Sequence, residues 1–346
     1  MKRWLALFLV ICMLFSFVAC GKEDFYPEGT EDKETEGTEQ TEGTDPTDPE
    51  EPSNPADPDV FGKSDGPLLY KVTDEAGNVA WLFGSIHIGR EDFYPLPEYV
   101  TSAYNSADAL AVEFDMNAFE NDMETQTAIA MKMLYTDGTM ITDHISAELY
   151  NEALAILQEN NMVMPYMDFY HVAAWTDTIN SITQEKTGIN SDLGIDKHLL
   201  DKAYTDNKTI LDVESAEFQF DMLLGFSDAL QIILLEQAIA EYYDTDTYKT
   251  SLEELMTLWN SGDEEAFYTY LSEEEIFETE EEAQLYAEYN KAMLTDRNIG
   301  MADFVETVLA SGDEVFVCVG AAHVVGRGAM VELLRQRGYT VELVTE

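Results

Sequence analysis

The sequence predicts an α/β fold: a central mixed sheet with paired Gly-x-x-His strand-loop motifs and a large helical insertion. Three observations support this prediction. Two apolar segments end in Gly-x-x-His, at residues 84–87 and 320–323. Two other apolar segments end in a glutamate, at Glu113 and Glu214. Over most of residues 117–297, apolar side chains recur at helical spacing, which indicates a helical insertion between strands of the sheet.

The N-terminus has the features of a bacterial lipoprotein signal peptide over residues 1–20. Lys2 and Arg3 precede an apolar stretch that is short for a membrane-spanning helix and typical of a signal peptide. The small residue Ala19 then precedes Cys20, as in a lipobox. We therefore expect lipidation of Cys20 and a lipid-anchored protein on the extracytoplasmic face of the cell membrane. The alternative is an ordinary cleaved signal.

Residues 21–66 have the composition of a disordered linker. They contain 16 acidic residues against three lysines, and six of the ten prolines of the chain. A segment with so few apolar side chains cannot bury enough surface to offset the entropy lost on ordering. We expect a flexible spacer that holds residues 67–346, the globular domain, away from the membrane.

The overall charge excludes one class of partner. The chain has 18 Lys and Arg against 69 Asp and Glu, a net charge of −51. Nucleic-acid binding needs cations that displace the counterions of phosphate, so we expect no nucleic-acid partner. Hydrophobic residues make up 45% of the chain, which is enough for a sizeable core. Cys318 is the one cysteine of the globular part, which excludes a disulfide framework there, and we expect it to be a small buried residue of a strand.

The elements of the sheet follow one another in a recognisable order. Two short alternating segments separated by a Gly-Asn turn predict a β-hairpin, and four later apolar runs predict the remaining strands. The predicted strands are 68–73, 79–83, 109–113, 208–214, 314–319 and 339–344, with helices at 98–107 and 329–337. The helices predicted within the insertion are 147–160, 167–182, 194–205, 215–243, 251–261 and 280–303.

The strand ends carry the residues capable of chemistry. Ligands in open α/β sheets bind beyond the carboxyl ends of the strands. His87, His323, Glu113 and Glu214 all follow strands, so together they suggest a metal or acid–base site. The structural alternative is that each glutamate caps the next helix and each histidine makes only loop hydrogen bonds.

An ordered series of motifs resembles the TraB/GumN family, which includes the TIKI-type metalloproteases and is distantly similar to erythromycin-esterase-like and ChaN-like proteins. The resemblance covers about residues 67–346. The motifs are residues 81–97 (WLFGSIHIGREDFYPLP), 112–115 (VEFD), 194–200 (GIDKHLL), 213–219 (VESAEFQ), 296–298 (DRN) and 319–326 (VGAAHVVG).

The resemblance implies metal-dependent hydrolysis of peptide bonds. It implies that His87, His323 and Glu113 bind a divalent metal, with Mn, Co and Zn as candidates. It also implies catalytic roles for the acids Glu113 and Glu214, with one of them as general base. Arg297 would stabilise the oxyanion and Asn298 would orient it. The alternative for Arg297 is an ion pair with Asp296, Glu113 or Glu214.

Two other functions remain open from the sequence. The chain could bind and sequester a peptide without catalysis, or it could be a metal-independent, esterase-like hydrolase that uses His and Glu directly as acid and base. The substrate is accordingly expected to be a peptide or a small molecule. The presence of both histidines, both glutamates and Arg297 favours an enzyme, because binding alone does not require that set.

Overall fold

The structure is a computed structural model that describes residues 61–272 and 279–345. The predicted signal peptide, the lipidation site Cys20 and linker residues 21–60 lie outside the described residues. The described part contains a six-stranded sheet in the order β4-β3-β5-β2-β1-β6. Its strands are β1 (Leu69–Thr73), β2 (Val79–Ser85), β3 (Ala109–Val112), β4 (Thr209–Asp212), β5 (Val315–Gly320) and β6 (Thr340–Leu343).

The sheet is mixed, as predicted. β1 and β2 form an antiparallel hairpin with Leu69 opposite Phe83, and β6 pairs antiparallel with the other side of β1. β2, β5, β3 and β4 are parallel neighbours. Parallel strands point the same way, so the carboxyl ends of these four strands lie along one edge of the sheet. That edge carries the site described below.

The helices, in chain order, are α1 (Glu98–Ser106), α2 (Met116–Asn121), α3 (Met123–Lys132), α4 (Ile141–His144), α5 (Ala147–Glu159), α6 (Val172–Thr187), α7 (Ile195–Asp206), α8 (Ala216–Leu224), α9 (Asp228–Tyr243), α10 (Thr245–Ser261), α11 (Glu264–Leu271), α12 (Glu280–Asn290), α13 (Asp296–Ser311), α14 (Ala321–Val324) and α15 (Met330–Gln336). A π-helical turn, Lys291–Thr295, joins α12 to α13.

The main hydrophobic core lies around the sheet. Every residue of β3 and β5 is buried, which is typical of parallel strands covered on both faces. Cys318 is a free, buried thiol within β5, as predicted. Side chains of α1, α7, α10, α13 and α15 belong to the same core cluster. Two further clusters, built mainly from α5, α6, α8 and α9, form the core of the helical insertion.

The predicted helix 215–243 is two helices, α8 and α9, bent by 99°. The break falls between Gly225, which follows α8, and Ser227, whose side chain accepts the Leu230 N–H at the start of α9. A serine in that position favours the start of a new helix, because its side-chain oxygen accepts a hydrogen bond from a backbone N–H in the first turn. Apolar residues recur at helical spacing through the whole segment, so the spacing alone predicted one continuous helix.

The described residues include 61–66, which we expected in the linker. The Phe61 ring stacks on the Tyr268 ring with a centroid distance of 5.4 Å. The Gly62 N–H donates to the Glu264 carboxylate at 2.7 Å. The end of the predicted linker therefore packs on helix α11.

No single helix in residues 61–272 and 279–345 is both long and apolar enough to cross a bilayer, although α8 and α9 together would pass by length and composition as a bent pair.

Candidate active site

The predicted site residues stand where the four parallel strands end. His87 follows β2, Glu113 follows β3, Glu214 lies two residues beyond β4, and His323 lies in the short helix α14 after β5. The β3–β4 ladder continues past both strands, because the Glu214 N–H donates to the Glu113 carbonyl oxygen at 2.8 Å. The two glutamates therefore lie side by side. We call these four residues, with Arg297 and Gln219, the strand-end site.

Arg297 connects the two glutamates. Its Nη2 lies 2.7 Å from Glu113 Oε2 and 2.7 Å from Glu214 Oε2, and its Nε lies 2.9 Å from Glu214 Oε1. The Gln219 amide donates to the same two carboxylates at 3.0 and 2.9 Å. The Arg297 side chain is only 1% exposed. One cation and one amide thus hold two buried carboxylates together.

This pairing decides the ionisation of Glu113. Burial alone would raise the pKa of Glu113, but the charge of Arg297 holds that pKa well below its usual range. Burial alone would lower the pKa of Arg297, but the carboxylates of Glu113 and Glu214 raise it above its usual value. Glu113 Oε1 also accepts the Gly320 N–H at 2.9 Å. Glu113 is therefore an ionised carboxylate, and its low pKa makes it a weak proton acceptor.

His87 is oriented by Asp196 at the start of α7. Its Nδ1 lies 2.8 Å from Asp196 Oδ2. The loop reaches this position through Gly194, where an added Cβ would lie 2.8 Å from the His87 carbonyl oxygen. Burial disfavours charge on the imidazole, yet Asp196 and Glu113 raise the pKa of His87 to about 9. At neutral pH the ring is therefore a cation that donates its Nδ1–H to Asp196.

His323 is completely buried and stays neutral. Its Nδ1 lies 2.7 Å from Asn298 Oδ1, while the Asn298 amide nitrogen donates to the Gly328 carbonyl at 2.9 Å. The Asn298 oxygen must then accept, so the proton of His323 is on Nδ1. Burial and the charge of Arg297 lower the pKa of His323 to about 3. Its Nε2 therefore carries a lone pair.

Both imidazoles leave Nε2 free. Among the described residues, neither His87 Nε2 nor His323 Nε2 has a hydrogen-bond partner, although both atoms are buried. An imidazole held through Nδ1 by a carboxylate or amide, with Nε2 free, has the orientation of a metal-ligating histidine. The donor atoms of these two residues thus fit a divalent metal, which would replace the Nε2 proton of His87.

The third predicted ligand, Glu113, stays a prediction. No group of three or more His, Cys, Asp or Glu side chains within residues 61–272 and 279–345 is arranged to hold a metal ion. Glu113 Oε2 is engaged by Arg297 and Gln219, whereas Oε1 accepts only the Gly320 N–H. Since a carboxylate oxygen has two lone pairs, Oε1 retains one that a metal could use.

A pocket opens beside these residues. Its lining includes both apolar and polar side chains. The lining residues are Ser85, His87, Val112, Glu113, Phe114, Met116, Asn117, Glu120, Asp196, Lys197, Leu200, Gln219 and Cys318.

A sequence model of the TraB/PrgY/gumN family matches residues 68–343. The chain belongs to the TraB/PrgY/gumN family. It is 25% identical to the uncharacterized protein YbaP of Escherichia coli over 254 residues, which are 73% of this chain and 87% of YbaP. It is 24% identical to the metalloprotease TIKI2 of Xenopus tropicalis, over 76% of this chain and 57% of that protein. No solved structure matches the chain.

The six residues predicted for catalysis or metal binding all lie inside the stretch that matches the TraB/PrgY/gumN family: His87, Glu113, Glu214, Arg297, Asn298 and His323. Hydrogen bonds join Glu113, Glu214 and Arg297 directly, and Asn298 contacts His323 rather than Arg297. The roles of these residues in catalysis and metal binding stay predictions.

Sequence reasoning missed two polar residues of the site, Asp196 and Gln219. Both fall within motifs that carry the family resemblance, GIDKHLL and VESAEFQ. Their position there is the signal that could have identified them. Each lies near the N-terminus of a helix that follows a strand or loop of the site.

Proposed function

We propose that this chain is a hydrolase of peptides, anchored by lipid on Cys20 at the extracytoplasmic face of the membrane, with a divalent metal bound by His87 and His323. The observation that carries the proposal is the pair of buried Nε2 atoms, each on a ring oriented through Nδ1. The relationship to a metalloprotease supports the same reaction class.

The chain's own residues would divide the work. His87 and His323 would hold the metal through Nε2, with Glu113 Oε1 as the candidate third ligand. A divalent metal bound there lowers the pKa of water and polarises a carbonyl group. Asp196 and Asn298 would keep the two rings in the ligating orientation. Arg297 would hold Glu113 and Glu214 side by side, and Glu214 would accept the proton of the attacking water.

A metal-independent hydrolase is the second candidate. It is favoured by the lack of a three-ligand group among residues 61–272 and 279–345. The surroundings of His87 raise its pKa, whereas those of His323 lower its pKa. Two groups with pKa values shifted in opposite directions are typical of an acid and a base in one site. In this case the cationic His87 would donate a proton through Nε2, and the neutral His323 would accept one through Nε2.

Metal analysis combined with a peptide assay separates these candidates. We would compare the wild type with a His87→Ala/His323→Ala double variant. The matched control is His144→Ala/His171→Ala, because those two rings pack on Tyr135 in the helical insertion. Each protein is assayed on a fluorogenic peptide library with Mn, Co, Zn or a chelator.

The proposal expects a tightly bound metal and metal-dependent hydrolysis in the wild type and the control, and neither in the site variant. Hydrolysis that persists with chelator and is lost in the site variant indicates the metal-independent enzyme. A folded wild type that hydrolyses no peptide with any metal favours the peptide-binding function.

A further inference from the structure

Within residues 61–272 and 279–345, the buried hydroxyl group of Ser85 has no strong hydrogen-bond partner. The residue ends β2 and is 1% exposed, and among the described residues its Oγ has no hydrogen-bond partner of good geometry. The thiol of Cys318 lies beside it on the neighbouring strand, but a thiol is a weak partner. An unsatisfied buried hydroxyl calls for an explanation, and a bound molecule is one of them.

Ser85 lines the pocket of the strand-end site. Ser85, His87 and Asp196 all line this pocket. Each presents a buried polar atom without a partner in the described chain: Ser85 Oγ, His87 Nε2 and Asp196 Oδ1. Of these three atoms, Asp196 Oδ1 can only accept a hydrogen bond, and His87 Nε2 would be occupied by a bound metal. Ser85 Oγ is the donor that remains available.

The other donors of the site are engaged. The Arg297 Nε and Nη2 groups donate to Glu113 and Glu214. The Gly320 N–H, which ends β5 opposite Ser85, donates to Glu113 Oε1. The Gln219 amide donates to the same two carboxylates. These three groups are therefore not available to an oxygen that gains negative charge in the pocket.

We propose that Ser85 is a catalytic residue whose Oγ–H donates a hydrogen bond to the carbonyl oxygen of the substrate as negative charge develops there. The inference rests on the proposed hydrolase function and names the donor that such a site needs. Ser85 forms no covalent bond. The water oxygen bonds to the carbonyl carbon, the C=O π pair moves onto the carbonyl oxygen, and the water proton passes to the general base.

Replacement of the hydroxyl tests this role. Ser85→Ala removes the donor without creating a large cavity. The matched control is Ser251→Ala on α10, because Ser251 is also buried but its hydroxyl donates to the Thr247 carbonyl at 3.3 Å. For wild type and both variants we would measure kcat and KM on the best library peptide, metal content and the thermal melt.

We expect Ser85→Ala to lower kcat by about 100-fold, the usual loss of an oxyanion donor. KM should change by less than about 3-fold, because this bond strengthens only in the transition state. Metal content and melting temperature should equal those of the wild type, and Ser251→Ala should keep full kcat. A kcat for Ser85→Ala within about 3-fold of the wild type would overturn the proposal, as would a loss that follows unfolding or loss of metal.

The outcome for the wild type is read first. A wild type without hydrolase activity contradicts the proposed function, and the role of Ser85 falls with it. An active wild type with an equally active Ser85→Ala contradicts only the role of Ser85.

Discussion

The strand-end site and helix α6 of the insertion both bury carboxyl groups, but only the site pairs them. Glu113 and Glu214 share the guanidinium of Arg297. Asp177 on α6 is 5% exposed, and its Oδ2 has no hydrogen-bond partner among the residues described. Burial raises the pKa of Asp177 well above its ordinary value, whereas Arg297 holds that of Glu113 well below.

The difference shows that burial does not by itself decide the charge of a carboxyl group. Removing a charged group from water disfavours ionisation, and only a partner of opposite charge reverses this. The strand-end site keeps Glu113 ionised at the cost of desolvating a cation. On helix α6, burial favours the neutral form of Asp177. The Oδ1 of Asn180, three positions further along α6, is likewise buried without a partner in the described chain.

The largest effect is expected from removing the shared cation. Arg297→Met leaves two adjacent carboxylates buried without compensation, so the free energy of unfolding should fall by about 3–5 kcal/mol. Chemical denaturation measures this change. The matched control is Arg337→Met, because Arg337 also pairs with two acids but is 25% exposed. Its loss should cost at most about 1 kcal/mol, and equal losses for the two variants would contradict the pairing account.

A smaller effect is expected from Gln219, the neutral partner of the same carboxylates. Gln219→Ala removes two hydrogen bonds but leaves the charge balance intact. The free energy of unfolding should fall by about 1–2 kcal/mol, less than for Arg297→Met. The same denaturation series gives the value. If Gln219→Ala costs as much as Arg297→Met, hydrogen bonding rather than charge holds the glutamates.

Asp177 should show the smallest effect, with the opposite sign. Burial raises the pKa of its carboxyl in the fold, so above pH 3.8 the unfolded chain binds fewer protons than the folded chain. Wild-type stability therefore falls as pH rises above 3.8, the ordinary pKa of the group.

Asp177→Asn removes this titration. It should raise the free energy of unfolding by roughly 1 kcal/mol at pH 7 and by much less at pH 4. Urea denaturation at the two pH values measures both differences. A variant that is less stable than the wild type at pH 7 would show that Asp177 has a partner in solution.

The sequence could predict the strand-end residues because the signal is local. An apolar strand that runs into His or Glu is visible in the chain, and parallel pairing places such ends at one edge. The hairpin, the strands and the buried Cys318 followed from the same kind of pattern. An ion pair of Arg297 with Asp296, Glu113 or Glu214 was one alternative the sequence left open, but it did not indicate that two of these acids share the guanidinium.

What the sequence could not predict depends on contacts between distant segments. Asp196 reaches His87 because α7 starts against the loop after β2, where the Ile195 N–H donates to the Ile86 carbonyl at 2.9 Å. No periodicity reports such a contact. The π-helical turn before Arg297 and the unpaired Asp177 also depend on tertiary packing, since the first looks like ordinary helix and the second like an exposed polar position.

The central claim is that His87 and His323 present Nε2 to a divalent metal. Long-range ¹H–¹⁵N NMR of the ¹⁵N-labelled, metal-free protein, before and after addition of Zn²⁺, tests it directly, because the chain has only five histidines. We predict that His323 is protonated on Nδ1 alone, and that Zn²⁺ shifts the Nε2 signals of His87 and His323 while those of His144, His171 and His198 stay unchanged. A proton on His323 Nε2, or Nε2 signals of both site histidines that do not respond to Zn²⁺, would contradict the account.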